Sequence, residues 1–260
     1  AGTGVGKSLF MCHLASSYLL QGLNVLYITL EMAEERIAER IDANLLDVTM
    51  EDLHDMPQQL YEGKITKLRE KTQGQLVIKE YPTASAHSGH FKSLMNELAL
   101  KKSFRPDVIF IDYLNICASS RFKGGNISSY FYVKAIAEEL RGLAVEFNVP
   151  IFSATQTTRT GYVSTDIGLE DTSESFGLPA TADFMFALIS NEELEALGQM
   201  KVKQLKNRYN DPSINRAFII GVDRAKMRLY DVQQKAGEIV DANQVDEKED
   251  AYNKFSDFKL

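Results

Sequence analysis

The sequence has no tryptophan and only two cysteines, Cys12 and Cys117, in 260 residues. Two cysteines without a framework spacing exclude a disulfide-rich secreted scaffold and favour free thiols in a reducing cytoplasm. The sequence also lacks a secretory signal and any unbroken apolar run long enough to span a bilayer. We therefore expect a cytoplasmic protein that does not associate with membranes.

Charge of one sign is not in large excess either. The net charge of −7 argues weakly against a protein that coats DNA with its outer surface. Residues 238–260 hold much of that charge, with seven acidic residues and three lysines, so a basic channel or cleft elsewhere stays compatible with the composition. The length suits one large α/β domain, which we assign to residues 1–232, followed by an acidic, mobile tail at residues 233–260.

The first eight residues, A-G-T-G-V-G-K-S, fit the phosphate-binding loop G-x-x-x-x-G-K-[ST], except that Ala1 occupies the first glycine position. The alternative, a glycine-rich turn with a chance Lys-Ser, is disfavoured because every offset matches. Glycines let the backbone wrap a phosphate chain, the lysine reaches the β- and γ-phosphates, and the hydroxyl ligates Mg²⁺. Because such loops follow a β-strand, we expect one before residue 1. The expected nucleotide-binding residues are Gly2, Thr3, Gly4, Val5, Gly6, Lys7 and Ser8.

Short apolar runs alternate with helical patterns through most of the chain. This alternation predicts an α/β fold with a mostly parallel sheet that is covered by helices on both faces. Later runs at residues 218–220 and 227–230 flank a turn, which predicts an antiparallel extension at one edge. The other predicted strands lie at residues 25–28, 76–78, 107–112, 151–154 and 184–189.

Two carboxylates follow predicted strands and suit a nucleotide site. Asp112 ends a central strand, where it can anchor Mg²⁺ or, alternatively, cap a turn. Glu31 closes another strand, where it can orient or deprotonate an attacking water. The alternative for Glu31 is to stabilise the N-terminus of the next helix, a role that Glu34 and Glu35 fill better.

Three further polar residues are candidates for the same chemistry. Gln156 follows the strand at residues 151–154 and can sense a γ-phosphate, although a solvated loop glutamine fits the spacing equally well. Lys206 and Arg208 lie far along the chain in the region of late strands. They are either solvated cations or a lysine and an arginine finger offered to the γ-phosphate of a neighbouring subunit.

Together these segments resemble the motor domain of DnaB-type replicative helicases. The resemblance lies in L-E-M at residues 30–32, I-D-Y-L at residues 111–114, S-A-T-Q-T-T-R at residues 153–159 and K-N-R at residues 206–208. Residues 133–140 and 177–184 look closer still to the replicative helicases of T-even-like bacteriophages. The resemblance covers residues 1 to about 230.

The resemblance implies a RecA-like fold and a homohexameric ring that hydrolyses ATP with Mg²⁺ at its subunit interfaces. It implies 5′ to 3′ movement on single-stranded DNA and duplex unwinding during replication, with a primase and a helicase loader as partners. It makes Glu31 the catalytic glutamate, Asp112 the magnesium-side aspartate and Gln156 the γ-phosphate sensor. Lys206 and Arg208 become the groups that act in trans.

The resemblance also implies that the loops at residues 121–129 and 157–177 face a central channel. The candidate DNA-binding residues there are Arg121, Lys123, Arg159 and Glu174. Two positions depart from the cellular pattern. Ser173 stands where an arginine precedes the glutamate, and Phe176 stands where a glycine contacts phosphate.

Two other readings share part of this pattern. A RecA-like recombinase that forms filaments would share the loop, Glu31 and Asp112. An ATP-gated scaffold would bind nucleotide without acting as a motor.

Overall fold

The computed structural model describes residues 2, 4–122, 127–156, 168, 177–211, 214 and 216–232. One or more helices separate each strand from the next in the first two thirds of these residues, and strands predominate in the last third. The helices are α1 (Lys7–Leu20), α2 (Glu34–Leu46), α3 (Met50–His54), α4 (Gln58–Lys71), α5 (Ser88–Lys102), α6 (Ser129–Phe147), α7 (Gly177–Thr181) and α8 (Glu192–Ala196). The strands are β1 (Val25–Thr29), β2 (Leu76–Glu80), β3 (Val108–Asp112), β4 (Ile151–Ser153), β5 (Phe184–Ile189), β6 (Gln199–Asn207), β7 (Ala217–Asp223) and β8 (Arg228–Asp231).

Four strands form a parallel sheet in the order β2-β1-β3-β4. Every residue of β1 and β3 is buried, as expected for central strands that are covered on both faces. Because side chains alternate along a strand, Tyr27 and Phe110 pack with α1 and α2 on one face, whereas Ile28 and Ile111 pack with α5 and α6 on the other. The register sets Thr29 opposite Asp112, so both strands end at the same edge.

The remaining strands form an antiparallel sheet in the order β5-β6-β7-β8. The sequence predicted these strands as an extension of the parallel sheet. In the described residues they make a ladder of their own, and the α/β prediction with an antiparallel part is confirmed. Leu188, Met200, Val202 and Ile220 turn from this sheet towards Leu9 of α1. Helix α1 therefore contacts both sheets, and the loop that precedes it lies between them.

Residues 50–73 have a polar helical pattern that predicts one surface helix. The structure instead has two helices, α3 and α4, separated by residues 55–57. A proline disfavours helical dihedral angles in the residue before it, and Pro57 itself caps the N-terminus of α4. The side chains of both helices are at least partly exposed, as their polar composition predicts.

The described part of the chain contains no helix with the length and apolar character needed to cross a membrane. Cys12 and Cys117 are both buried free thiols, which confirms the prediction from their spacing.

Candidate functional site

The phosphate-binding loop wraps directly into the N-terminus of α1. Gly4 has φ +80° and Gly6 has φ +115°, a region that side-chain-bearing residues rarely adopt, so the motif glycines are required by the backbone path. Helix α1 then begins at Lys7, and its first N–H groups point back into the loop. A helix N-terminus with free N–H groups favours an anion such as a phosphate. Ala1 and Thr3 lie outside the described residues.

Lys7 lies in the loop within electrostatic range of residues at the carboxyl end of the parallel sheet. Its ammonium donates to the main-chain carbonyl of Gly2 at 3.0 Å, which closes the loop on itself. Burial lowers the pKa of Lys7, whereas the negative charges of Glu31 and Asp112 act in the opposite direction. The structure therefore brings the lysine within electrostatic range of two carboxylates that are far from it in the sequence.

Asp112 is fully buried at the carboxyl end of β3. Tyr27 donates from its hydroxyl to Asp112 Oδ2 at 3.0 Å, while Oδ1 is buried and has no hydrogen-bond partner among the described residues. An unsatisfied buried carboxylate oxygen is costly unless a ligand or water satisfies it. One carboxylate, a loop hydroxyl and phosphate oxygens form a donor set that suits Mg²⁺. Asp112 and Ser8 thus fit a magnesium ion that is bound together with a nucleotide.

Glu31 lies two residues beyond the end of β1 and is exposed. Leu30 N donates to Asp112 O at 2.9 Å, which carries the β1–β3 pairing past the strand and holds Glu31 near Asp112. The Thr29 hydroxyl closes the turn by accepting from Met32 N and donating to Met32 O. Helix α2 begins only at Glu34 with Glu34 and Glu35 in its first turn, so Glu31 has no role inside that helix.

Tyr113 is a residue of this site that the sequence reasoning missed. Gln156 Nε2 donates to the Tyr113 hydroxyl at 3.3 Å, so the predicted sensor is linked to the residue that follows Asp112. Burial raises the pKa of Tyr113, and the charges of Glu31 and Asp112 raise it further. The sequence signals for Tyr113 were its position directly after a strand-end aspartate and its place in the I-D-Y-L segment at residues 111–114, and neither indicates a tyrosine partner for Gln156.

Lys206 and Arg208 lie against a different part of the domain. The Lys206 ammonium donates to the carbonyls of Pro179 and Ala180 at the end of α7. Burial lowers the pKa of Lys206, and the charge of Arg208 lowers it further. Arg208 pairs with Asp183 at 2.9 Å. In the described residues, neither cation is bonded to Lys7, Glu31 or Asp112, which is compatible with a role towards a neighbouring subunit.

Arg121 is the only candidate DNA-binding residue that the described part of the chain includes; Lys123, Arg159 and Glu174 lie outside it. Its guanidinium forms an ion pair with Glu138 on α6. The Arg121 side chain is 51% exposed, so a phosphate competing for it would replace a weak surface pair.

The segment that leads into this loop is held by Glu139 of α6. The Glu139 carboxylate accepts from the hydroxyls of Ser88 and Ser119 and from the main-chain N–H groups of Ser120 and Arg121. Burial alone would raise the pKa of Glu139, but these hydrogen bonds outweigh it and the pKa is lowered. Glu139 therefore anchors the start of the predicted channel loop.

We expect Glu139→Gln to lower the melting temperature at pH 7, because glutamine cannot replace the charged acceptor. The folded-state pKa is depressed below 4.5, so the stabilisation is complete above that pH and is lost as the pH falls through the folded-state pKa. The difference in melting temperature should shrink accordingly in thermal unfolding at low pH. Glu138→Gln, next to it on α6, is the control and should change little. A difference as large at pH 3 as at pH 7 would contradict this assignment.

The family comparison agrees with this geometry. The model of the DnaB-like helicase C-terminal domain matches residues 1–235. The chain belongs to the DnaB-like helicase C-terminal domain family. This confirms the resemblance that the sequence motifs indicated.

Relatives of this DnaB-like domain are replicative helicases. The chain is 45% identical over 262 aligned positions to a DnaB-like replicative helicase of Enterobacteria phage T4, covering 98% of this chain and 55% of the relative. It is 32% identical over 161 positions to a probable plasmid replicative DNA helicase of Chlamydia trachomatis, covering 60% of this chain and 33% of the relative. The chain thus spans about half, or less, of the length of these relatives.

Solved structures agree on the fold of the DnaB-like domain. A DnaB-like replicative helicase solved for its interactions with primase superposes with a TM-score of 0.72 at 16% identity, covering 89% of this chain and 56% of that chain. A separate ATPase domain gives a TM-score of 0.73 at 16% identity, covering 89% and 82% respectively. At this identity the likeness concerns the fold alone, which is RecA-like as predicted.

Proposed function

We propose that this domain is the ATP-hydrolysing motor of a replicative DNA helicase. The observation that carries the proposal is that Glu31 and the buried Asp112 lie within electrostatic range of both Lys7 of the phosphate-binding loop and Tyr113, whose hydroxyl accepts from Gln156. Hydrolysis of a nucleoside triphosphate requires a cation for the phosphates, a carboxylate for the attacking water, a carboxylate for the metal and a neutral group that senses the γ-phosphate. Lys7, Glu31, Asp112 and Gln156 are the respective candidates. The family supports the same assignment, since its named relatives are replicative helicases.

In the proposed reaction each side chain has one task. The loop N–H groups and Lys7 hold the phosphates of ATP, and Ser8 with Asp112 would hold Mg²⁺, which neutralises charge on the phosphates when it is bound. Glu31 orients the attacking water and accepts its proton, which its exposure permits. Gln156 senses the γ-phosphate and passes its presence through Tyr113 and towards the loop at residues 157–177.

Lys206 and Arg208 complete the site from a neighbouring subunit in the proposed assembly. On the loop side the half-buried Lys7 meets the phosphates, and in the proposed assembly Arg208 adds an arginine for the charge that develops on the γ-phosphate. A homohexameric ring gives each interface one loop and one Arg208. Electron microscopy of the nucleotide-bound protein tests this: closed rings are expected, whereas open filaments would indicate a recombinase-like assembly.

The proposal extends to DNA and to partner proteins. Single-stranded DNA would thread the ring in the 5′ to 3′ direction past the loops that contain Arg121, Lys123, Arg159 and Glu174. A primase and a helicase loader are the proposed partners, and the cytoplasm, of the host cell if the protein is phage-encoded, is the proposed location. We propose residues 1–232 as the ATPase domain and residues 233–260 as a mobile tail.

Lys7→Ala tests the nucleotide site. We expect affinity for a fluorescent ATP analogue to fall by about ten- to a hundredfold, because a charged hydrogen bond to phosphate is lost. Equilibrium fluorescence titration measures the change, with Lys67→Ala on the exposed face of α4 as the control. Unchanged affinity and turnover in Lys7→Ala would remove the loop from the mechanism. Nucleotide binding without turnover in the parent protein would instead indicate a scaffold.

A further inference from the structure

Arg208 is bound at both its main chain and its side chain by one residue, Asp183. Arg208 N donates to Asp183 O at 2.9 Å, and the Arg208 guanidinium pairs through Nη1 with Asp183 Oδ1 at 2.9 Å. Nη2 of the same guanidinium donates to Ala180 O at 2.9 Å. Asp183 joins the end of α7 to β5, so the guanidinium is fixed to two points of one short segment.

A second arginine shares the same carboxylate. Arg141 Nη2 of α6 lies 3.1 Å from Asp183 Oδ1, and Lys206 lies nearby, since its pKa responds to the charges of Asp183, Arg208 and Arg141. One carboxylate therefore stands among three cations. Without it, the two guanidinium groups and the ammonium would repel one another, and the side chain of Arg208 would lose the contact that fixes its direction.

The bound guanidinium still has donors to offer. An arginine carries five N–H groups, and the contacts to Asp183 and Ala180 use one on each terminal nitrogen. Arg208 is 37% exposed and lines a surface groove of about 480 Å³ together with Arg121 and Arg141. The contacts of Arg208 with Asp183 and Ala180 thus form a clamp that fixes the plane of the guanidinium. They leave other N–H groups free to donate to an anion that enters the groove from solvent.

We propose that Asp183 is a positioning residue for the hydrolysis reaction, which orients Arg208 towards the γ-phosphate held by the neighbouring subunit. Arg141 keeps the carboxylate in place from the α6 side. The inference rests on the proposed function, because it requires Arg208 to act in trans. It adds a residue that touches neither ATP nor the phosphate-binding loop and that acts only through Arg208.

Asp183→Asn is the principal test, with steady-state ATPase kinetics of the assembled protein as the readout. Asparagine keeps the size of the side chain and the main-chain bond to Arg208 but removes the charge. We expect kcat to fall roughly tenfold or more, as for a misplaced reacting group, with the KM for ATP unchanged. Asp47→Asn is the matched control, because Asp47 also pairs with two cations, Lys226 and Arg228, away from Arg208. It should leave kcat unchanged.

A double variant separates positioning from a general structural effect. If Asp183 acts through Arg208, Asp183→Asn combined with Arg208→Ala should be no slower than Arg208→Ala alone. A further loss in the double variant would mean that Asp183 acts by another route, which overturns the inference.

Arg208→Lys gives a second test that leaves Asp183 unchanged, in case Asp183→Asn does not fold. Lysine keeps the charge but lacks the planar fork that bonds to Asp183 and Ala180 together, so we expect turnover close to that of Arg208→Ala. Full turnover in Arg208→Lys would show that the paired contacts of the guanidinium with Asp183 and Ala180 are not needed for hydrolysis, which overturns the inference. If Asp183→Asn turns over ATP normally while Arg208→Ala is slow, only the positioning role of Asp183 is overturned. If Arg208→Ala itself turns over ATP normally, the proposed role of Arg208 in trans is overturned as well.

Discussion

Arg208→Ala is expected to bind ATP with the affinity of the parent protein and to hydrolyse it about 10³-fold or more slowly. In the proposed site the nucleotide is held by the loop and Lys7, which the substitution does not change, so binding should persist. The transition state gains negative charge that an arginine supplied in trans stabilises by this order of magnitude. Single-turnover ATPase and equilibrium nucleotide binding measure the two effects separately. Arg105→Ala, exposed at the opposite edge of the parallel sheet, is the control.

Mixing experiments test whether Arg208 acts across an interface. A mixed assembly of Arg208→Ala and Lys7→Ala subunits contains some interfaces with an intact loop on one side and an intact Arg208 on the other. We therefore expect the mixture to recover part of the activity that each variant lacks alone. If mixed assemblies demonstrably form and show only the sum of the separate activities, Arg208 does not act in trans.

Glu31→Gln should leave ATP binding and assembly intact while slowing hydrolysis by roughly a hundredfold or more, the loss expected when a general base is removed. Glutamine preserves the size of the side chain, and the turn that holds it is closed by Thr29 and Met32 rather than by Glu31. A pre-steady-state hydrolysis assay with bound nucleotide isolates the chemical step.

Glu35→Gln is the matched control for Glu31→Gln. Glu35 is an exposed residue in the first turn of α2, where it stabilises the helix N-terminus, and it is not part of the proposed site. Its substitution should leave hydrolysis unchanged. Hydrolysis near the parent rate in Glu31→Gln would reduce Glu31 to a residue of the β1–α2 turn.

The parts of the site that lie next to regular elements could be predicted from sequence. The apolar run of β3 predicted that Asp112 would lie at the edge of the sheet, and the spacing after β1 predicted the same for Glu31. Parallel strands bring their carboxyl ends together, so Glu31 and Asp112, 81 positions apart in the sequence, both lie within electrostatic range of Lys7. The apolar runs also predict which strand residues are buried, because both faces of a sheet that is covered by helices must be apolar.

Side-chain partners could not be predicted in the same way. The bond from Gln156 to Tyr113 and the clamp of Asp183 on Arg208 depend on rotamers and on the packing of α7 against α6 and β6. No period or spacing in the sequence encodes these contacts, and the separate ladder of the antiparallel sheet was missed for the same reason. The roles of Glu31, Gln156, Lys206 and Arg208 stay predictions.

We expect this domain to couple ATP hydrolysis to single-stranded DNA, and steady-state ATPase measured with and without single-stranded DNA tests this coupling most directly. The measurement uses assembled protein at saturating ATP and Mg²⁺, with duplex DNA of equal length for comparison. We expect single-stranded DNA to raise the hydrolysis rate severalfold and duplex DNA to have a smaller effect. A hydrolysis rate that single-stranded DNA leaves unchanged, in protein that binds both ATP and DNA, would contradict the account.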